Sequence, residues 1–318
     1  MSISIPVKLD LVIVTFNRLE KLKKALSCYE KQTSPFRNLI LVNNCSTDGT
    51  KEYIDEWQRE KTFFGKIVIH TDENLGGSGG FYLGQKKAME LGADWVFVAD
   101  DDAYAQPDMV EKFCNYIGSH DVSEISAICA AVHNLDGSLC LYHRKKIHID
   151  KKNIHKIKST IDDYHKESFS VDLFSYVGSF LNGCALRQVG LVNPRYFIYY
   201  DDSEHSCRLK RYGDIVVVPS MVILHEGGNE TSTKDSNVIV SWRTYYFIRN
   251  EQNMLLKHFP IVGLYRYVKN IKNRLKRMIR SESTPPYTMV VDIAFDDAFW
   301  GRLGRHEKYK PGWQILKG

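Results

Sequence analysis

Three consecutive aspartates, Asp100 to Asp102, follow the apolar run 94–99 (DWVFVA). Adjacent carboxylates repel one another, which costs stability unless a cation compensates. Mg²⁺ and Mn²⁺ prefer carboxylate oxygens combined with the phosphates of a substrate. Because alternate residues of a turn can face the same side, the pattern predicts that Asp100 and Asp102 hold a divalent ion that bridges to a diphosphate. A solvated acidic loop, or a cap for a helix that starts near Pro107, is the alternative interpretation.

A glycine-rich segment, Asn74-Leu75-Gly76-Gly77-Ser78-Gly79-Gly80, opens a helix-like stretch. Glycines let the backbone approach a ligand closely, and a helix N-terminus attracts anions. The segment is not a dinucleotide-binding fingerprint, because Tyr82 stands where its last glycine would be, and it lacks the Gly-Lys-Ser/Thr ending of a P-loop. A substrate-binding loop that uses Asn74, Gly76 and Gly77 and a flexible connector both fit this pattern.

Two further residues have neighbours that could tune their chemistry. Asp202 follows the aromatic run 196–200, and desolvation by aromatic surface would raise the pKa of this carboxylate toward that of a general base. His225 follows the strand-like run 216–224 and could complete the shell of a metal ion. The alternatives are an acidic first turn of a helix at 202–211 and a structural histidine.

Short apolar runs alternate with helix-like segments over the first hundred residues. The runs at 9–15, 38–42, 66–70 and 94–99 predict buried strands. Alternation of this kind predicts an α/β fold with a mostly parallel, Rossmann-like sheet that is covered by helices on both faces. Ligands bind beyond the carboxyl ends of such strands, so the polar sets that follow them should converge on one crevice. These sets are Thr15, Phe16 and Asn17, then Asn43 and Asn44, then the glycine-rich segment, and finally the three aspartates.

The composition is that of an ordinary globular protein with a sizeable core. Of the 318 residues, 43% are hydrophobic and 25% are charged. The absence of an apolar run of eighteen residues predicts that no helix spans a membrane, and we expect no signal peptide. The seven cysteines are scattered and form no CxxC pair, which favours reduced thiols and a cytoplasmic location over a disulfide framework or a zinc cluster.

The net charge of +5 is concentrated near the C-terminus, since no acidic residue lies between Gln252 and Ser281. The basic residues of 266–280 alternate with apolar residues at helical spacing. This pattern predicts a basic amphipathic helix on an anionic membrane surface and no nucleic-acid partner, and a core helix with a solvated face is the alternative. We therefore predict a domain of residues 1–260 and an extension of residues 261–318 that ends in a loosely organised tail from residue 281. The polar stretch Lys145–Lys166 is predicted to be a surface excursion.

Five segments together resemble the inverting glycosyltransferases of family 2, which have the GT-A fold. The segments are LVIVTFNR, LILVNNCSTDGT, ENLGGSGGF, FVADDDA and YYDDSEHSCRL, and the resemblance covers roughly residues 8 to 260. The combination of NLGGSGGF with a triple aspartate is similar to bacterial galactofuranosyltransferases and, less closely, to rhamnosyltransferases.

The resemblance implies roles for individual residues. Thr15, Phe16 and Asn17 would lie near the nucleotide base, and Asn43 stands where the family commonly has an aspartate that faces the base. Asp100 and Asp102 would form the DxD motif, with Asp102 a direct metal ligand, His225 a second ligand and Asp101 beside the substrate. Asp202 would be the catalytic base, and the segment Leu181–Arg187 would border the acceptor site.

The implied activity is that of an Mn²⁺- or Mg²⁺-dependent hexosyltransferase. It would move a sugar, with galactofuranose as one candidate, from a UDP-sugar to a hydroxyl of a cell-surface glycan. The resemblance implies that this glycan is lipid-linked and is built at the inner face of the membrane. The alternatives are a dTDP-rhamnose-dependent rhamnosyltransferase, a sugar nucleotidyltransferase and a non-catalytic glycan-binding module. A nucleotidyltransferase would typically carry a glycine-rich basic loop after the first strand, where this chain has Thr15 to Arg18.

Overall fold

The computed structural model describes residues 7–150, 152–227 and 238–316. Its strands are β1 (Leu9–Thr15), β2 (Asn38–Asn43), β3 (Gly65–His70), β4 (Trp95–Asp100), β5 (Ala103–Ala105), β6 (Ile125–Asn134), β7 (Arg144–Asp150), β8 (Asn153–Lys158), β9 (Phe169–Val171), β10 (Leu173–Phe174), β11 (Ser179–Asn182), β12 (Asp214–His225), β13 (Val238–Ser241) and β14 (Gln314–Leu316).

The helices follow the predicted alternation in the first half of the chain. They are α1 (Leu19–Glu30), α2 (Thr50–Trp57), α3 (Gly76–Glu90), α4 (Met109–Ser119), α5 (Gly183–Val189), α6 (Asp201–Leu209), α7 (Trp242–His258), α8 (Pro260–Ile279) and α9 (Pro286–Phe299). The glycine-rich segment opens α3, as predicted, and the acidic pair that includes Asp202 opens α6.

The central sheet has the strand order β3-β2-β1-β4-β11-β6-β12-β5. Neighbouring strands from β3 to β4 are parallel, and β11 enters antiparallel between β4 and β6. The chain first builds outward from β1 to β3 and then returns to place β4 on the other side of β1. This reversal creates a crevice beyond the carboxyl ends of β1 and β4, which is where open α/β sheets bind ligands.

Both faces of the sheet are buried, which explains the continuous apolar runs. Leu11 and Ile13 of β1 pack in one core with residues of α1, α2 and α4. Val12 and Val14 point to the opposite core, which includes residues of α3, α5 and α6. Residues 11–14 of β1 therefore place apolar side chains alternately in the two cores.

Strand β12 contains the whole strand-like run 216–224 and extends beyond it at both ends. It runs parallel to β6, and its last three residues pair antiparallel with β5, which places His225 opposite Ala103. This long-range pairing carries the histidine to the end of β4.

The segment 145–166 lies largely at the surface, as predicted, but it is ordered, and the predicted loose tail is wrong. Within 145–166, β7 and β8 form a hairpin that also pairs with β10, and Ile147 and Ile154 pack against α7 residues Met254 and Leu255. The region after residue 281 is not a loose tail, because Val290, Ala294 and other residues of α9 pack in a core with α7. Both regions are ordered because their apolar side chains pack against segments that are distant in the sequence.

Helix α8 is amphipathic, as predicted, but part of its positive charge is neutralised within the protein. Arg274 and Arg277 form ion pairs with Asp292 of α9, and Arg266 pairs with Glu251 of α7. Among the described residues, no helix is long and apolar enough to cross a bilayer.

Close contact between α3 and β1 generates a stability prediction. A Cβ at Gly84 would overlap Cγ1 of Val12, so Gly84→Ala should lower the free energy of unfolding by about 1–3 kcal/mol through overpacking. Gly118 of α4 has open space around it, and Gly118→Ala should leave stability unchanged or raise it by up to about 1 kcal/mol. Urea denaturation checks both, and equal midpoints for the two variants would contradict the packing argument.

Candidate active site

A cavity of about 470 Å³ opens beyond the carboxyl ends of β1 and β4. The predicted site residues that line it are Thr15, Phe16, Asn74, Gly76, Gly77, Asp100, Asp101, Asp102, Asp202 and His225. The two acidic clusters, which are far apart in the chain, therefore border one pocket. Its volume lies within the usual range of small-molecule sites.

Asp100, Asp102 and His225 form a candidate metal site. One ligand atom from each residue lies within 4.8 Å of the others. Oδ1 of Asp102 is buried, accepts no hydrogen bond from the described residues and lies 3.3 Å from Nε2 of His225. Buried carboxylate oxygens are normally satisfied, and two carboxylates with one imidazole fit Mn²⁺ or Mg²⁺. The residues present therefore fit the predicted ion.

Cations from α1 and from the turn before it compensate the three carboxylates. Nη1 of Arg18 lies 3.3 Å from Oδ1 of Asp101 and 3.0 Å from Oδ2 of Asp102. Nζ of Lys21 lies 3.5 Å from the same oxygen of Asp102. The hydroxyl of Thr15 donates to Asp101 at 2.8 Å. Asp101 and Oδ2 of Asp102 are thus held by protein groups, whereas Asp100 and Oδ1 of Asp102 remain for the candidate metal site.

The carboxylates titrate differently because their surroundings differ. Burial, reinforced by the charge of Asp102, raises the pKa of Asp100 to about 7. Burial also acts on Asp102, but the combined effect of His225, Arg18 and Lys21 lowers its pKa to about 2. Burial raises the pKa of Asp101 to about 6. Repulsion between Asp100 and Asp102 is the electrostatic cost that a divalent cation would remove.

Asn17 and Asn43 hold the turn after β2 and do not line the cavity. The side-chain oxygen of Asn17 accepts from the backbone N–H of Thr47 at 2.7 Å, and that of Asn43 accepts from the N–H of Ser46 at 3.1 Å. Asn17 has a positive φ of 53°, which its short polar side chain tolerates. Their predicted proximity to a nucleotide base stays a prediction.

Asn44 organises the glycine-rich segment. Its side-chain N–H donates to the carbonyl oxygen of Gly76 at 3.0 Å, and its oxygen accepts from the N–H of Leu75 at 2.9 Å. Gly76 has a φ of +73°, and a Cβ there would overlap the carbonyl of Phe197. A glycine is required at this position, because the segment packs directly on the aromatic run before Asp202.

The aromatic run has an unusual backbone. Phe197, Tyr199 and Tyr200 all have φ between 63° and 68°, a region that is costly for residues with a Cβ. Asn250 of α7 stabilises this conformation, because its side-chain N–H group donates to the carbonyls of Tyr196, Ile198 and Tyr199 at 2.8–2.9 Å. Helix α7 therefore fixes the loop that delivers Asp202.

Asp202 lies at the first turn of α6, half-buried in the cavity wall. Burial raises its pKa, while hydrogen bonds from the backbone N–H and hydroxyl of Ser203 and the charge of Lys145 oppose that rise. A carboxylate with a raised pKa is suited to accept a proton.

Several residues of the site were not predicted from the sequence. Arg18 directly follows the predicted set Thr15 to Asn17, so its position was the available signal. Trp242 and Arg243 line the cavity from the start of α7, and no local pattern indicates this. The segment Leu181–Arg187 does not border the pocket: Asn182 pairs with Trp95, at the amino end of β4.

Comparison with known sequences identifies the family. Residues 10–171 match the family described as Glycosyl transferase family 2. The galactofuranosyltransferase GlfT1 of Mycolicibacterium smegmatis is 29% identical over 209 residues, which cover 64% of this chain and 65% of that protein. The GlfT1 of Mycobacterium tuberculosis is 28% identical over 210 residues, which cover 64% of each chain. The chain thus matches just under two thirds of the length of these relatives.

Solved structures share the fold. The Pyrobaculum calidifontis mannosyltransferase PcManGT, in complex with GDP-Man and Mn²⁺, has a TM-score of 0.55 and 13% identity over 93% of this chain and 70% of its own. Staphylococcus aureus TarS 1-349, in complex with UDP, has a TM-score of 0.52 and 16% identity over 79% of this chain and 66% of its own. At these identities the likeness shows the GT-A fold alone.

The candidate metal site predicts a loss of ion binding in a defined variant. Asp102→Asn should weaken Mn²⁺ binding in the presence of UDP by at least about tenfold to a hundredfold, because it removes a charged ligand next to Asp100. Asp162→Asn changes an exposed carboxylate and is the matched control. Mn²⁺ titration followed by electron paramagnetic resonance measures both, and wild-type affinity in Asp102→Asn would exclude this ligand.

Proposed function

This chain belongs to glycosyl transferase family 2, and from this premise we propose that it transfers a hexosyl group from a UDP-sugar to a glycan hydroxyl with inversion. The observation that carries the proposal is the single cavity that holds both the Asp100–Asp102 cluster and Asp202. Chemistry at the anomeric carbon requires both a group that stabilises the leaving diphosphate and a group that accepts the proton of the nucleophile.

The donor nucleotide is proposed to occupy the β1 side of the cavity. Phe16 is exposed at its rim and offers a ring for the base, while Gly77 leaves open space into which a ligand could come close to the backbone. Asp100, Asp102 and His225 would hold Mn²⁺ or Mg²⁺. When bound, such an ion stabilises the charge that develops on a departing diphosphate.

Asp202 is the proposed catalytic base. It would accept the proton of the acceptor hydroxyl while that oxygen forms a bond to the anomeric carbon and the bond from this carbon to the UDP oxygen breaks. The products are the inverted glycoside, UDP and a protonated Asp202, which returns its proton to solvent. The partly desolvated position of Asp202 supports this role, because it raises the pKa of the carboxylate.

Galactofuranose is the proposed sugar, and a lipid-linked glycan is the proposed acceptor. The names of the GlfT1 relatives support the sugar. The exposed face of α8 supports a membrane-bound acceptor: its exposed apolar residues, spaced three or four apart at the start of the helix, are Ile261, Leu264, Tyr265 and Val268, followed by Leu275, Met278 and Ile279. Among the described residues, Lys269, Lys272 and Lys276 form no ion pair that would neutralise them. We place the contact at the cytoplasmic leaflet, since the seven cysteines are all unpaired.

Replacement of the proposed base should abolish turnover but not donor binding. Asp202→Asn should lower transfer by about 10²–10⁴-fold, because an amide cannot accept the proton, while the affinity for UDP persists. Ser203→Ala removes only the hydroxyl that lies 3.1 Å from Asp202 and should have a much smaller effect. UDP release and UDP binding are measured in parallel, and near-normal turnover in Asp202→Asn would exclude the assignment.

The membrane contact should depend on the apolar face of α8. The double variant Ile261→Asp, Leu264→Asp should bind vesicles that contain anionic lipid at least about tenfold more weakly, because each buried aliphatic side chain contributes roughly 1.5–3 kcal/mol. Leu135→Asp with Ile161→Asp changes two exposed apolar residues elsewhere and should have no effect. Vesicle flotation tests the contact, and equal flotation of both double variants would count against it.

A further inference from the structure

Asp202 belongs to the walls of two cavities. The second cavity has a volume of about 390 Å³ and shares Ser175, Tyr199 and Asp202 with the cavity described above. Its far wall comes from the β7–β8 hairpin and from α7. The groove reaches Asp202 but is not lined by Asp100, Asp101 or Asp102, so it is a route by which a nucleophile could approach Asp202 outside the donor cavity.

The hairpin presents two lysines that form no ion pair with the described residues. Lys145 of β7 lies directly opposite Lys158 of β8 in the strand register, an arrangement of like charges that destabilises a sheet. Their Nζ atoms lie 5.7 Å and 3.6 Å from the ring centre of Tyr142, and neither forms an ion pair or a side-chain hydrogen bond with the described residues. Burial lowers the pKa of Lys145, and the negative charge of Asp202 opposes this effect. An anion in the groove would offset both the repulsion between the two lysines and the cost of burying the charge of Lys145.

A third lysine of the same hairpin, Lys156, has both an acidic partner and a hydrogen-bond partner. Nζ of Lys156 lies 2.7 Å from Glu251 and 2.8 Å from the hydroxyl of Tyr200. Lys156 also lines the groove, but Glu251 neutralises its charge, whereas Lys145 lines the groove with no ion pair to the described residues. The positive charge available to a ligand therefore lies near the proposed base.

The rim of the groove exposes aromatic rings. Tyr142 is 64% exposed, Phe247 is 47% exposed and Tyr199 is 37% exposed. Exposed rings around a concave site commonly contact ligands, and a sugar ring has apolar faces of matching size. The groove thus combines flat apolar surface with a cation.

We infer that this groove is the acceptor subsite and that it binds a sugar bearing a phosphate or a carboxylate. The anionic group would lie at Lys145, which lines the groove and has Lys158 beside it across the hairpin, and the sugar ring would lie on Tyr142. The inference rests on the proposed function, because it takes Asp202 as the base that receives the acceptor proton. It gives the β7–β8 hairpin a role in acceptor selection.

Binding of small probes to the UDP–Mg²⁺ complex tests the inference. UDP would occupy the nucleotide part of the donor cavity, so probe binding that depends on Lys145 reports on the groove. Nuclear magnetic resonance titration compares glucose 1-phosphate, methyl glucuronide and methyl glucoside, which differ in bearing a phosphate, a carboxylate or no charge. We expect at least one anionic probe to bind about tenfold or more tightly than methyl glucoside, and the stronger of the two identifies the anion.

Adjacent lysines on opposite faces of β7 provide matched variants. Lys145→Gln should weaken binding of the anionic probe by at least about tenfold, because it removes a charge-assisted contact. Lys146→Gln removes the same charge from the exposed outer face and should bind the probe like the wild type. Lys158→Gln is a second test at an exposed position, where loss of fold is not expected. UDP affinity is measured in each variant as a check that the donor cavity persists.

The outcomes separate the two proposals. If UDP binds but the three probes bind alike, or if Lys145→Gln and Lys146→Gln are indistinguishable, the acceptor subsite is wrong and the proposed function stands. If the wild-type protein does not bind UDP in the presence of Mg²⁺, the proposed function fails and this inference fails with it.

Discussion

Repulsion among carboxylates at the end of β4 is the constraint around which the site is built. Three aspartates lie at the point where the sheet changes direction, and burial makes their charge costly. Arg18 and Lys21 neutralise one side of the cluster, and His225 lies on the other. The buried oxygen of Asp102 that accepts no hydrogen bond from the described residues is where the proposed divalent ion would supply the remaining compensation.

A second constraint connects the C-terminal helices to this cluster. The left-handed backbone of Phe197, Tyr199 and Tyr200 would be unfavourable in isolation, and Asn250 of α7 satisfies the carbonyls that this path exposes. Gly76 packs on the same loop from the other side. The position of Asp202 therefore depends on α7, which in turn packs against α9 and α8. The C-terminal helices thus support the loop that carries Asp202.

The hairpin and α8 lie outside the central sheet. Lys145 and Lys156 of the hairpin line the groove together with aromatic rings, and α8, which follows α7 in the chain, carries the exposed apolar residues. The roles proposed for these two elements, acceptor selection and membrane contact, could therefore be altered without disturbing the geometry of the aspartates.

Local pattern alone determined much of this molecule. The apolar runs fixed the first four strands, the glycine-rich segment fixed the start of α3, and the strand ends marked Thr15, the aspartates and their crevice, because parallel strands place their carboxyl ends at one edge. Only the tertiary structure decided that Asn17 and Asn43 turn toward the β2–α2 loop, that Arg18 and Lys21 pair with the acids, and that α9 packs on α7. The direction of a side chain at the end of a strand depends on the turn that follows. Packing between distant segments depends on complementary surfaces, and the local spacing of apolar residues does not reveal which surfaces will meet.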